Sequence, residues 1–468
     1  MGMKAIMFGG TTSSAGKSSL TMALCRILAK RGYDVAPFKA QNMSLNSYVT
    51  KKGKEIAIAQ AMQAFAAGIE PDERMNPILL KPKGNFISQL VVLGEAVGDF
   101  DSREYYKKIP ELKKVVEEAY NSLAEEYEII VIEGAGGMAE INLYERDLAN
   151  IHIARHAKPA ILIVGDIDRG GVFASLYGTY QLLPADIREL VVGFVINRLR
   201  GSEEFLGDGI TKLETLCNVP VLGVIPFLNS EFPSEDSLNI EEWKGSGLVG
   251  IVHLPRISNF TDFEPLRKFS TFLELRDKPE CEILIIPGSK DTIADLKALK
   301  SSQLYDEIKK IAGKKLIIGI CGGYQILGKE LIDYGVEHGR IRVKGLGLLD
   351  AETRFEEYKK KTVQVCKRVT GDAEILRKIR GETVWGYEIH KGITISKKPI
   401  FEDEGCQSDD GMCWGTYLHG LFWNENVLRA IGEYLGVRLE LRDQFDLLAK
   451  EVEKRLNLSE LLSKISVG

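Results

Sequence analysis

Two short stretches of this chain carry residues whose types and spacing suit chemistry. The first is Gly10-Thr11-Thr12-Ser13-Ser14-Ala15-Gly16-Lys17-Ser18. A glycine-rich turn of this kind aims backbone N–H groups at an anion, and the helix that follows adds its dipole. Lys17 would reach the outer phosphates of a nucleotide, with Gly10 and Gly16 shaping the loop, and Ser18 would offer a hydroxyl to magnesium. The usual pattern has about four residues between its glycines, whereas Thr11 to Ala15 make five, so the loop is a variant. The second stretch is Ile317-Ile318-Gly319-Ile320-Cys321-Gly322-Gly323-Tyr324-Gln325. Small neighbours let the chain turn sharply at Cys321 and expose its sulfur, with N–H groups behind it to hold an oxyanion. A thiol needs a base to become a nucleophile. His419, between a strand-like run and Gly420, is the favoured partner, and His390 is its rival.

The elements that must position these residues are legible as alternating runs. Apolar segments Ala5–Phe8, Val35–Phe38, Ile129–Ile132, Ala160–Val164, Val191–Ile196 and Val221–Val224 predict buried strands. Helical patterns lie between them at Lys17–Lys30, Ile56–Ala67, Arg103–Glu126 and Asp147–Ala157. Continuous apolar strands alternating with helices predict a parallel sheet covered on both faces. Glu133 ends one such strand, at the carboxyl edge where ligands bind in open α/β sheets, and is a candidate metal ligand. A second α/β pattern has strands at Leu248–His253, Ile283–Ile286, Leu316–Ile320 and Met412–Tyr417, with helices at Ala294–Ala298, Leu304–Ala312 and Gln325–Glu330. The polar stretch Asn229–Gly247 between the two patterns reads as a linker. The expected domains are 1–235, 248–440 and a helical tail over 441–468.

Composition narrows the class. A chain of 468 residues is too long for one core. A formal charge of −5 advertises no nucleic-acid surface. The longest apolar runs are far too short to span a membrane, and the first residues lack a signal-peptide layout, so a cytoplasmic location is expected. Seven scattered cysteines without a CxxC pair favour neither a disulfide framework nor a zinc site.

These motifs resemble a triad-type glutamine amidotransferase domain joined to a domain similar to dethiobiotin synthetase. That fusion marks the family of cobyric acid and cobyrinic acid a,c-diamide synthases. The cobyric acid branch is the closer match, through Pro37–Ser47, Glu133–Leu143, Asp166–Ala174, Arg256–Leu266, Pro287–Thr292 and Tyr387–His390. The fold implied is a P-loop, doubly wound α/β domain followed by a class I amidotransferase α/β domain.

The resemblance implies that glutamine is hydrolysed at Cys321 with His419 as base. ATP would activate a corrin carboxylate in the first domain, where ammonia would form the amide. The branch amidates positions b, d, e and g of adenosylcobyrinic acid a,c-diamide. By the same resemblance Gly288 and Gly322 are oxyanion donors, Gln325 contacts glutamine, Lys39 lies near the transferred phosphoryl group and Asn197 reads adenine. Ser18 and Glu133 would ligate Mg2+, and Asp166, Asp168 and Arg169 would face the corrin or the metal.

Most triad-type amidotransferases have a glutamate two residues after the histidine, where this chain has Leu421. A Cys–His dyad is therefore expected, with Glu388 as a speculative third member. Other readings are amidation at positions a and c, a partitioning-type ATPase switch, or a glutamine-sensing scaffold. Thr11 stands where the ATPase switch would carry a second lysine, and intact Cys321 and His419 speak against the scaffold.

Overall fold

A computed structural model describes residues 5–84, 86–228, 243, 245–356, 360–439 and 444–465. Most of the expected linker, Asn229–Gly247, lies outside the described residues. The chain divides into two compact units. One comprises Met1–Ser44, Lys54–Phe232 and Asp443–Gly468, and the other Leu45–Gly53 and Pro233–Arg442.

The first unit is built on strands β1 (Ala5–Gly10), β2 (Val35–Phe38), β3 (Ile129–Glu133), β4 (Ala160–Asp166), β5 (Val191–Leu199) and β6 (Val221–Pro226). They pair in the order β6-β5-β4-β1-β3-β2, all parallel. β1 to β4 are buried along nearly their whole length, as an apolar parallel sheet covered on both faces requires. The phosphate loop leaves the carboxyl end of β1 and enters the helix Lys17–Lys30.

A second sheet of four strands, Gln41–Met43, Ile78–Gly84, Ile87–Val92 and Glu95–Asp101, interrupts the β-α alternation. The last strand feeds the helix Ser102–Glu126, whose start is fixed by a capping box between Asp101 and Glu104. Of residues 441–468, read from sequence as a helical tail, those from Asp443 on group with this unit. Their helix Gln444–Glu453 packs along Lys17–Lys30, and Arg26 Nε donates to Asp446 Oδ1 at 2.7 Å.

The second unit carries β7 (Val249–Val252), β8 (Ser270–Leu273), β9 (Ile283–Ile286), β10 (Leu316–Ile320), β11 (Cys406–Gln407) and β12 (Cys413–Thr416). Their order is β8-β7-β9-β10-β12-β11, parallel except for the edge strand β11. Cys321 follows β10 and His419 follows β12, so two adjacent strands deliver both to one edge of the sheet. An arm of mixed parallel and antiparallel strands over residues 330–396 lies outside this α/β frame, and its strand Thr383–His390 pairs with Leu418–His419.

Candidate functional site

At the end of β1 the loop folds around its own lysine. Lys17 Nζ donates to the carbonyls of Thr12 at 3.0 Å and Gly136 at 2.9 Å. Gly16 has φ +98°, and a Cβ there would lie 2.0 Å from Asn197 Nδ2. Only glycine suits that backbone and that close approach. Asn197, at the carboxyl end of β5, donates to the carbonyl of Ala15 at 2.8 Å. A Cβ on Gly10 would lie 2.7 Å from Lys17 Nζ.

Glu133, at the carboxyl end of β3, is wholly buried. Ser18 Oγ donates to its Oε1 at 2.8 Å, and Lys39 Nζ does so at 2.7 Å. Gln63 donates to Oε2, and Gln60 approaches the same atom at 3.4 Å. A buried carboxylate must be paired and hydrogen-bonded to be tolerated, and this one is. Gly10, Gly16, Lys17, Ser18, Lys39, Glu133 and Asn197 thus gather around one loop. A cavity of about 430 Å³ opens on the β3 side of that loop, the opposite side from Asn197. Ser13 and Gly136 line its polar end, and Met43, Phe86, Phe100 and Tyr106 its apolar walls. Phe86 is 92% exposed, and the Arg146 guanidinium lies 4.5 Å over the Tyr106 ring. Asp166 is ion-paired to Arg198 at 3.2 Å and Arg169 at 3.5 Å, and Asp168 to Arg200.

In the second unit Cys321 has φ +52° and ψ −107°, the strained turn of a nucleophile elbow. Its N–H donates to the Thr416 carbonyl at 2.8 Å, and its Sγ faces the Ile389 carbonyl at 3.7 Å. The turn needs bare backbone behind it, since a Cβ on Gly323 would sit 1.9 Å from the Ile286 carbonyl oxygen. We expect Gly323→Ala to destabilise this unit by at least about 3 kcal/mol, because rigid backbone cannot yield to the added methyl. Chemical denaturation of the two proteins measures it.

His419 is buried beside Cys321. Its Nδ1 lies 2.6 Å from Asp262 Oδ2, while Asp262 Oδ1 accepts the Gly420 N–H at 3.0 Å. Burial is the largest influence on the imidazole and works to lower its pKa. The Asp262 carboxylate and the Cys321 sulfur outweigh it and push His419 up to about 10. The expected dyad is therefore corrected to a triad, Cys321–His419–Asp262. The acid comes from the 3-10 helix Phe260–Phe269 rather than from the segment after the histidine. Leu421 is buried apolar filling.

Glu388 does not orient His419. It is committed to Lys361, to Lys367 at 2.9 Å and to His390 at 3.3 Å. Burial opposes its ionisation, but hydrogen bonds from His390, Lys361 and Lys367 hold it well below the usual carboxylate range. The rival base His390 stacks on Tyr417 at 3.6 Å.

Gly288 and Gly322 meet beside the triad. A Cβ on Gly288 would lie 3.4 Å from His419 Cε1, and one on Gly322 would lie 2.8 Å from the N of Ser289. The Gln325 amide accepts from Thr292 Oγ1 at 2.9 Å. It donates to the Lys391 carbonyl and Tyr417 Oη, each at 3.0 Å, so as placed it braces the walls of the elbow. Asp262 is the functional residue that sequence reasoning missed. The signal was present, since Asp262 lies inside the Arg256–Leu266 motif, but nothing local connects that motif with His419.

Comparison with known proteins agrees with this geometry. The profile of the CobQ/CobB/MinD/ParA nucleotide binding domain matches residues 6–238. That of the CobB/CobQ-like glutamine amidotransferase domain matches 248–427. A protein of Archaeoglobus fulgidus named probable cobyric acid synthase is 73% identical over 98% of this chain and 100% of its own length. The chain belongs to the cobyric acid synthase family. A second relative so named, from Methanosarcina mazei, is 49% identical over 98% of this chain and 99% of its own. Among solved structures, the signal recognition particle receptor FtsY from Elizabethkingia anophelis in complex with GDP matches 47% of the chain and 57% of its own. Its TM-score is 0.29 at 15% identity, too slight a likeness to weigh. As a member of the cobyric acid synthase family the chain is a glutamine-hydrolysing ligase with ATP as substrate. No described helix is long and apolar enough to cross a membrane.

Proposed function

We propose that this enzyme amidates the b, d, e and g carboxylates of adenosylcobyrinic acid a,c-diamide, with glutamine as nitrogen donor, in the cytoplasm. One observation carries the reading: end-to-end likeness at 73% identity to a probable cobyric acid synthase.

In the glutaminase step Cys321 Sγ attacks the glutamine carboxamide carbon. The N–H groups of Gly288 and Gly322 receive the developing oxyanion. His419 gives its proton to the departing nitrogen, ammonia leaves and a thioester remains. His419 then takes a proton from water, which attacks the thioester, and glutamate departs. Asp262 keeps Nδ1 protonated throughout, so Nε2 faces the reacting atoms.

In the ligase step a corrin carboxylate oxygen attacks the γ-phosphorus of ATP, and ADP leaves. Ammonia attacks the resulting acyl phosphate, and inorganic phosphate departs. Lys17 and Lys39 carry the charge that eases both displacements, and Asn197 stands on the side proposed for adenine. The Ser18 hydroxyl and Glu133 carboxylate are hard oxygen donors of the kind Mg2+ prefers, and they lie 2.8 Å apart at the end of the loop. Bound there, the ion would neutralise phosphate charge. The cavity lined by Met43, Phe86, Phe100 and Tyr106 has the size and apolar character of a small-molecule site. Its open, aromatic rim suits one edge of a flat macrocycle, with Arg146 available to a peripheral carboxylate.

Assay with defined corrin acids tests the reading. The a,c-diamide should be converted through successive amides. Conversion of the unamidated acid at a and c, with the a,c-diamide untouched, would overturn it.

A further inference from the structure

The catalytic histidine is held by a loop from the other half of the sequence. Residues Leu45–Gly53 fall inside the stretch matched by the nucleotide-binding profile, yet they pack within the amidotransferase unit. The Ser47 peptide is gripped from both sides. Its N–H donates to Asn259 Oδ1 at 3.0 Å, and its carbonyl accepts from Tyr387 Oη at 2.8 Å.

Both grips touch His419. The Tyr387 ring stacks on the imidazole, with centroids 5.3 Å apart and planes 17° from parallel. Asn259 Nδ2 stands 3.4 Å from Nδ1 and 3.5 Å from Nε2, so the amide lies against the ring rather than along one lone pair. Asn259 adopts φ +54°, a left-handed backbone that asparagine bears better than most residues.

The residues after Ser47 continue the hold. Tyr48 meets Tyr387 edge to face at 5.3 Å. Gln364 Nε2 donates to Tyr48 Oη and to the Val49 carbonyl, each at 2.9 Å. Val49 is buried against Tyr387 and Ile389, and the Ile389 carbonyl is the one facing Cys321 Sγ. One loop therefore braces residues that touch both the base and the nucleophile.

An imidazole that serves a thiol, a leaving amine and a water in turn works only in one orientation. Asp262 fixes one ring nitrogen, and the plane is left to Tyr387 and Asn259. We propose that Leu45–Gly53 is a positioning segment of the glutaminase site, acting on His419 through Ser47, Tyr387 and Asn259. Glutamine is hydrolysed efficiently only while this segment is seated. The proposal rests on Cys321 and His419 being the glutaminase pair.

Tyr387→Phe is the sharpest test, because it removes the hydroxyl that holds Ser47 and keeps the ring on His419. In the full chain we expect kcat for glutamine hydrolysis to fall about tenfold, the worth of one buried hydrogen bond. KM for glutamine should hold, and the alkaline limb of the pH profile should move to lower pH as His419 drifts from Asp262. Amidation driven by added ammonium should be unchanged. Tyr48→Ala should act in the same direction, and Tyr48→Phe, which keeps the ring against Tyr387, should retain most activity. Wild-type kcat and pH profile in both Tyr387→Phe and Tyr48→Ala would overturn the proposal. So would equal loss of glutamine- and ammonium-driven amidation, since positioning His419 concerns glutamine alone. Glutaminase activity surviving in Cys321→Ala would instead overturn the pair itself.

Discussion

Replacing Cys321 with alanine should end glutamine hydrolysis and leave ATP-dependent amidation running on added ammonium. In the proposed mechanism the sulfur forms the bond that cleaves the carboxamide, with His419 as its base. Loss of a nucleophile of this kind costs about four orders of magnitude or more in kcat. The fold should tolerate the change, because alanine inherits the φ of +52° without adding bulk. The groups proposed to handle phosphate, Lys17, Ser18, Lys39 and Glu133, belong to the other unit and keep their partners. The ammonium-driven rate should climb with pH as free ammonia replaces ammonium. Two parallel assays, glutamate release and amide formation with ammonium chloride, measure it. Ammonia release by the variant would exclude Cys321 as nucleophile, and loss of ammonium-driven amidation in a folded variant would refute the separation of sites.

Asp262→Asn should lower kcat for glutamine hydrolysis by about a hundred- to ten-thousandfold with little change in fold, the range seen when an orienting acid is lost from a triad. The carboxylate holds Nδ1 at 2.6 Å and outweighs the burial that would otherwise favour neutral imidazole. Asparagine carries no charge and can present its N–H, which selects the wrong tautomer. Activity near neutral pH should therefore fall most, and the residual activity should show a lower-pH alkaline limb.

The sign of the stability effect follows from the same shift. His419 has its folded pKa raised to about 10 from an ordinary value near 6.5. The stabilisation is complete below the ordinary value and is lost as pH rises towards the raised one. Wild-type stability of this unit should decline between those limits, and that of Asp262→Asn should decline less. Denaturant titrations at a series of pH values check it.

What could be read in the sequence and what could not divide along a physical line. The strands ending at Gly10, Glu133 and Ile320 are apolar runs bounded by glycine or charge, so both motifs could be placed at strand ends. Asp262 was invisible because its bond to His419 joins residues 157 positions apart, and a 3-10 helix has no strong periodicity. Glu388, the speculative third member, is claimed instead by Lys361 and Lys367. The hairpin strands over 78–101 and the arm over 330–396 escaped notice because exposed, short strands mix polar and apolar residues. Only packing reveals which unit owns the excursion Leu45–Gly53.

The segment around Leu456 imposes an order on the synthesis of the chain. The edge strand β6 is covered by chain that comes from the far terminus. Gly223 bridges to Leu456, and Asn457 N–H donates to the Leu222 carbonyl at 2.7 Å. A ribosome therefore releases every residue of the amidotransferase unit before the segment that closes the nucleotide-binding unit has been made. Domains emerging from the ribosome ordinarily finish from the N-terminal end first. Here the unit that starts first must wait with an open sheet edge until Leu456 and Asn457 have emerged.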